Sequence, residues 1–311
     1  MSTLERRYRR ILAFLPKAYR TDRAEEMLTA LLDGARPGQT RPRPGDVFSL
    51  GALAVRLRFG APGASARGQL AGDIARRVVL VSLMISTALN MSTFAVLAVD
   101  RDFGLLSITL AYELVQPALV LALLFGRRRV GLVLGAVYLL FTGIAVAVLL
   151  AVQVSDIYQP VSTIFTVTIS ALTALAVFPA FHREAPRLAN RGRWLLLWVA
   201  AMAVLCSTSG ALTLRLAPPE YLWPTTYVVV GLVATVFAIK QLKVSPVWPI
   251  SLALGGCPVL ADSFHGGSFL HQPVAYIALG FTGSIEVALI AVALASVAYH
   301  RRLVVARPDV T

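Results

Sequence analysis

Two hydrophobic patterns divide this chain. Up to Arg77 the apolar residues come singly, at helical spacing, among charged ones. Leu4, Tyr8, Ile11, Leu12 and Leu15 recur every three or four residues and predict a first helix that Pro16 closes. A second helix is expected from about Asp22, where Glu25 stands three residues on at capping-box spacing. Ala24, Met27, Leu28, Leu31 and Leu32 form its apolar face, and Gly34 marks its end. Arg36 to Asp46 is punctuated by proline and glycine and reads as a loop. A third helix over about 46–58 puts Val47, Leu50, Ala54 and Leu57 on one face, and a short basic amphipathic helix follows over about 65–77. These helices share few apolar residues. Alone they are a marginal domain, expected to need the membrane, the rest of the chain or a partner for full order.

Beyond Arg77 the apolar residues run together. A helix needs roughly 20 of them to cross the hydrocarbon layer. Spans are predicted at 78–99, 105–125, 130–152, 161–181, 194–214, 222–239, 247–261 and 274–299. The seventh is short and carries Pro249, Gly255, Gly256 and Pro258, the marks of a broken or re-entrant segment. The expected fold class is all-α: a polytopic helical membrane bundle of about eight transmembrane helices behind a small N-terminal cytoplasmic helical segment. The expected organisation is a prefix over 1–60, a basic linker helix over 61–77, the bundle over 78–299 and a cytoplasmic tail over 300–311.

Composition agrees with lipid rather than water as the main solvent. The chain is 57% hydrophobic and 14% charged, with a mean hydropathy of +0.72, whereas soluble domains average about 25% charged residues. Of the net charge of +13, residues 1–77 carry +8. So basic a chain raises the question of nucleic acid. The distribution favours Arg-rich segments held on the cytoplasmic side beside anionic lipid, and no nucleic-acid partner is expected. With the N-terminus inside, the cytoplasmic loops and tail carry 12 Lys and Arg and the outer loops only Arg101 and Arg215. The inner set is Arg127, Arg128 and Arg129, then Arg183, Arg187, Arg191 and Arg193, then Lys240 and Lys243, and finally Arg301, Arg302 and Arg307. Topology follows this bias. It implies an even number of spans, both termini cytoplasmic, and residence in the plasma membrane. Trp194, Tyr221, Trp223, Trp248 and Tyr299 fall near span ends, as interfacial anchors do. No secretory leader is expected in the N-terminal segment.

Candidate chemistry is sparse. Cys206 and Cys257 define no disulfide framework and read as small buried residues. Glu113 and Glu286 lie inside predicted spans, where a charge costs roughly 2.5–3.5 kcal/mol at the bilayer centre. Such a carboxyl group faces protein or water, exchanges a proton, or hydrogen-bonds between helices as structural glue. Glu113 precedes its Arg cluster by 14 residues and Glu286 precedes Arg301 by 15, which gives the two similar depths. Gln116, one turn from Glu113, is a further in-span polar group, as are Asn90 and the run Cys206 to Ser209. Asp262, His265 and His271 in the last outer loop are weak metal candidates, because their spacing fits no zinc pattern. No resident metal or cofactor is expected. The chain has no P-loop, HExxH, GxSxG, CxxC or GxGxxG, so no enzyme activity is expected either.

The stretch LPKAYRTDRAEEMLTALLD, Leu15 to Asp33, lies within a segment of about 60 residues. That segment resembles the helical permease-prefix or HAAS-like domains that precede membrane spans in actinobacterial multi-pass proteins. The Arg-rich, Lys-poor composition also looks like that of a GC-rich genome of this kind. The resemblance implies an accessory or regulatory role in which the prefix binds a cytoplasmic protein, either a transporter ATPase or a regulator. It supplies no catalytic residues. Tyr8, Leu15, Tyr19, Glu25, Met27, Leu28 and Leu31 are the prefix residues expected to serve partner binding. The competing function is a proton- or ion-coupled secondary transporter using Glu113 and Glu286. A four-plus-four repeat would pair the broken seventh span with the third, which has glycines but no proline.

The topology is open to direct test. In a Cys-free background, single cysteines at Ser155 and Gly267 are expected to react with an impermeant maleimide in whole cells, and one at Gly192 is not. The opposite pattern would overturn the orientation.

Overall fold

A computed structural model describes residues 2–99, 103–151, 158–182, 185, 188, 190–213, 231–256 and 273–305. Among the described residues every regular element is an α-helix and there is no strand. The contacts divide the chain into two units, Met1–Ala75 with Pro179–Pro186, and Arg76–Phe178 with Arg187–Thr311.

In the first unit, α1 (Thr3–Leu12) is capped by Ser2, whose Oγ accepts from Glu5 N at 3.1 Å. Leu4, Tyr8 and Leu12 line its buried side. Pro16 both follows α1 and opens α2 (Lys17–Asp33). The second helix thus begins one turn before the expected Asp22. Proline's fixed φ and missing N–H suit a helix start, so Asp22 lies inside the helix and Glu25 makes no capping box. Glu25 instead takes a two-pronged hydrogen bond from Arg9, at 2.6 and 3.1 Å.

α3 (Pro44–Arg58) buries Leu50, Ala54 and Leu57, while Val47, expected on the same face, is exposed. Tyr8 is only 1% exposed, and its hydroxyl donates to Asp46 Oδ2 at 2.6 Å, tying α1 to α3. Burial, and then this bond to a carboxylate, raise the Tyr8 phenol above its ordinary value.

The expected short helix over 65–77 does not stand alone: α4 runs unbroken over Ala66–Val99. No proline interrupts it. Gly68 and Gly72, poor helix formers, are accommodated because they lie against the backbone at the end of α3. A side-chain carbon on Gly72 would collide with Phe59 O, and one on Gly68 would meet Leu57 O at 2.6 Å. Gly60 and Gly63 turn the chain between the two helices with φ of 85° and 84°.

In the second unit, α5 (Phe103–Leu124) packs on α6 (Arg128–Ala151). The turn between them has Gly126 at φ 70°, Arg127 N donating to Ala122 O at 2.8 Å and Gly126 N donating to Leu123 O at 3.2 Å, a left-handed helix cap. α7 (Tyr158–Ala180) and α8 (Arg191–Thr213) follow. α9 is described over Gly231–Gln241. α10 (Val247–Gly255) has only nine residues, and the rest of the expected seventh span lies outside the described residues. α10 packs on α11 (Pro273–Val305). Ala238, Ala253, Leu289 and Ala293 form the core there.

One described stretch, Gly283–His300, is long and apolar enough to cross a membrane, with a mean hydropathy of 1.6; Leu114–Leu124, Thr168–Ala180 and Gly231–Gln241 are shorter apolar stretches.

Tyr8→Phe is expected to cost the first unit about 1 kcal/mol at neutral pH. The pH dependence has a definite sign. Neutral Tyr8 contributes fully below its unfolded value of about 10, and the contribution is lost as pH rises through the higher folded value. Urea unfolding of the full-length protein, followed by a fluorophore at Glu26→Cys, reads both effects. An unchanged midpoint, or an alkaline loss that persists in Tyr8→Phe, would show that the bond contributes nothing.

Candidate functional site

The residues expected to serve the prefix divide between core and surface. Tyr8, Leu15 and Leu28 are buried in the first unit's own core, and Tyr19, Met27 and Leu31 pack against it half-buried. Helical periodicity locates such residues without saying what covers their face, and here the three helices cover it for one another. Only Glu25 is exposed, and it is held by Arg9. The apolar residues this unit presents are instead Phe14, 66% exposed, and Phe48, 81% exposed, with Val47 and Val55. Val47, Phe48 and Val55 lie along one outward side of α3, and that face was not singled out in the sequence.

In the second unit Gln116 is 1% exposed, and its Nε2 donates to the Tyr138 hydroxyl at 2.8 Å, joining α5 to α6. Thr142, one turn beyond Tyr138, donates to Tyr138 O at 2.8 Å. Glu113 falls within α5, but its side chain lies outside the described residues, and with it the suggested approach to Glu286.

Glu286 is 8% exposed on α11. It faces the end of α10: a side-chain carbon on Gly256 would stand 2.9 Å from Glu286 Oε2. Gly255 is equally close-packed, with a side-chain carbon there meeting Val81 Cγ1 at 2.6 Å. Gly231 of α9 lies against Ile285 in the same way, at 2.7 Å. Glycines at these positions therefore let α10 approach α4 and α11, and α9 approach α11 beside Glu286. The sequence shows the Gly255-Gly256 pair but not which carboxylate it admits.

A second cluster gathers around Trp248 at the start of α10. Trp194 stacks on it with ring centres 5.2 Å apart, Phe237 meets it edge-on at 5.3 Å, and the Arg77 guanidinium sits over its ring at 4.6 Å. The expected span-end tryptophans Trp194 and Trp248 are thus a contacting pair.

Asp262, His265 and His271 lie outside the described residues. Among the described residues no group of three His, Cys, Asp or Glu side chains is placed to hold a metal ion. Comparison with family models, curated proteins and solved structures finds no match to the chain.

Removing either partner of the Gln116–Tyr138 bond leaves a buried polar group. Gln116→Leu and Tyr138→Phe are each expected to destabilise the protein by about 1 kcal/mol, the usual net contribution of a hydrogen bond. A double-mutant cycle in detergent is expected to be non-additive, since the second change removes a bond already broken. Strict additivity would show that the two side chains do not interact energetically.

Proposed function

We propose that this chain is an integral membrane protein of about eight spans. Its cytoplasmic prefix binds a protein partner, which makes it a regulatory or accessory component rather than an enzyme. The observation that carries the membrane reading is the apolar exterior of the second unit, whose interior also holds polar side chains. The buried polar side chains there include Ser82, Thr87, Gln116, Thr142, Ser251, Glu286 and Ser296. The exposed side chains include Leu121, Val133, Leu140, Leu172, Leu196, Val236 and Leu294. In water that arrangement exposes far more apolar surface than soluble monomers do; in lipid it is the expected one. The unequal Lys and Arg content of the loops supports cytoplasmic termini and a plasma-membrane location beside anionic lipid.

The partner reading is supported by the first unit. Its core is complete around Tyr8, Leu28 and Leu57, yet Phe14 and the outward side of α3 remain apolar and exposed. The resemblance of Leu15 to Asp33 to permease-prefix domains points the same way, towards a transporter ATPase or a regulator. The placement of Glu286 favours a second reading, ion-coupled transport.

A pull-down of the detergent-solubilised protein tests the first reading. Full-length protein is expected to retain a stoichiometric cytoplasmic ATPase or regulator. Both a version lacking residues 1–60 and the variant Phe48→Asp with Val55→Asp are expected to lose it. Equal capture by all three would rule out the prefix as the docking element.

A further inference from the structure

The loop between α2 and α3 is basic, and its backbone is held in place. Pro37 and Gly38 form the middle of a turn that Gln39 N closes by donating to Arg36 O at 3.0 Å. Gly38 stands at φ 79°, the left-handed value that a type II turn requires at its third position, and proline suits the second. The Gln39 side chain holds the turn from both directions. Its Oε1 accepts from Arg36 N at 3.1 Å, and its Nε2 donates to Arg41 O at 2.7 Å. Arg7 of α1 donates to Thr40 O at 3.0 Å, which ties the loop to the first helix. Pro42 and Pro44 restrict the backbone that follows.

This loop borders an open depression of about 460 Å³, lined by Arg36, Pro37, Gly38, Gln39 and Arg43. Sites for small molecules occupy roughly 300–1,000 Å³. Two arginines line the depression and no acidic residue does. The nearest acids in sequence are Asp33, three residues before Arg36, and Asp46, three after Arg43. Asp46 already accepts from Tyr8. Among the described residues neither Arg36 nor Arg43 forms an ion pair with a carboxylate, whereas Arg9 of α1 pairs with both Glu5 and Glu25. Like charges gathered along one concavity repel, and an anion between them relieves that repulsion.

We infer that the depression between Arg36 and Arg43 binds a phosphomonoester group, carried either by a soluble small molecule or by a lipid headgroup. A carboxylate has two oxygens and one charge, which a single arginine fork can saturate. A phosphomonoester has three acceptor oxygens and a charge of about −1.5 to −2 at neutral pH, enough for two forks to share. The hydrogen-bonded turn holds the loop before the ligand arrives, so binding has little backbone to order. The inference goes beyond the docking reading, since it uses none of the exposed apolar residues.

The test measures the heat of binding of glycerol 3-phosphate to purified full-length protein in detergent, at constant ionic strength. Wild type is expected to bind saturably. Arg36→Ala and Arg43→Ala are each expected to weaken binding roughly tenfold or more, as loss of a hydrogen bond to a charged group does. Arg23→Ala removes the same charge from an exposed position on α2 outside the depression. It is expected to stay within about twofold, because salt screens such a charge. Gly38→Ala keeps every charge but strains a backbone at φ 79°, and it is expected to weaken binding severalfold with helix content unchanged by circular dichroism. Absence of saturable binding would overturn the site. So would binding that Arg36→Ala, Arg43→Ala and Gly38→Ala leave unchanged, or that Arg23→Ala weakens equally. The two sources are separated in nanodiscs containing phosphatidic acid, a phosphomonoester lipid, or phosphatidylglycerol, a phosphodiester of the same sign. Stronger block of glycerol 3-phosphate by phosphatidic acid assigns the site to a lipid headgroup, and equal effects of the two lipids assign it to a soluble phosphomonoester.

Discussion

Helix α11 turns Glu286, Leu289, Ala293 and Ser296 inward and Val287, Ile290 and Leu294 outward. That choice constrains much of the second unit, because each inward polar group must be met by a neighbour close enough to satisfy or shield it. Ser296 donates to Leu242 O at 2.8 Å, Ser251 to Val247 O at 2.6 Å, and Gln116 to Tyr138 at 2.8 Å. Close approach in turn needs small residues, and Gly231, Gly255 and Gly256 stand where a side chain would collide with α4 or α11. Glu286 is the one inward group in this set for which a glycine contact takes the place of a hydrogen-bond donor.

The first unit differs in its surface. Its charges are outside, its core is apolar, and its polar contacts, such as the Arg9–Glu25 pair, are mostly at the surface. Tyr8 is one exception, a buried hydroxyl that Asp46 satisfies, and His182, 5% exposed, is another. Backbone contact still matters, since Gly68 and Gly72 of α4 lie against the backbone at the end of α3. The two units thus differ in what they expose, and the change between them falls near Arg77, where the hydrophobic pattern itself changes.

Much of the helical layout was legible beforehand. Long apolar runs bounded by Arg clusters marked α5 to α8 within two or three residues of their observed ends. The misreadings share a cause. Asp22 and Glu25 have the spacing of a cap, but an adjoining proline and a cross-helix arginine decided their use. A composition shift at Arg77 suggested a helix boundary, yet no backbone feature there breaks α4. Val47 shares a helical face with Leu50 in projection, but its side chain remains 41% exposed. In each case a local pattern had several structural solutions, and its wider surroundings selected one.

By itself the sequence determined the all-helical class, the positions of most helices and the change in hydrophobic pattern near Arg77. These follow from period, run length and charge, which are local along the chain. Only the tertiary structure decided that Gln116 meets Tyr138, that Trp194 and Trp248 stack beneath Arg77, that Leu28 is core while Phe48 is surface, and that Glu286 faces the end of α10. Such pairings depend on which helix faces bury one another, and side-chain packing between elements far apart in sequence leaves no periodic trace in either one.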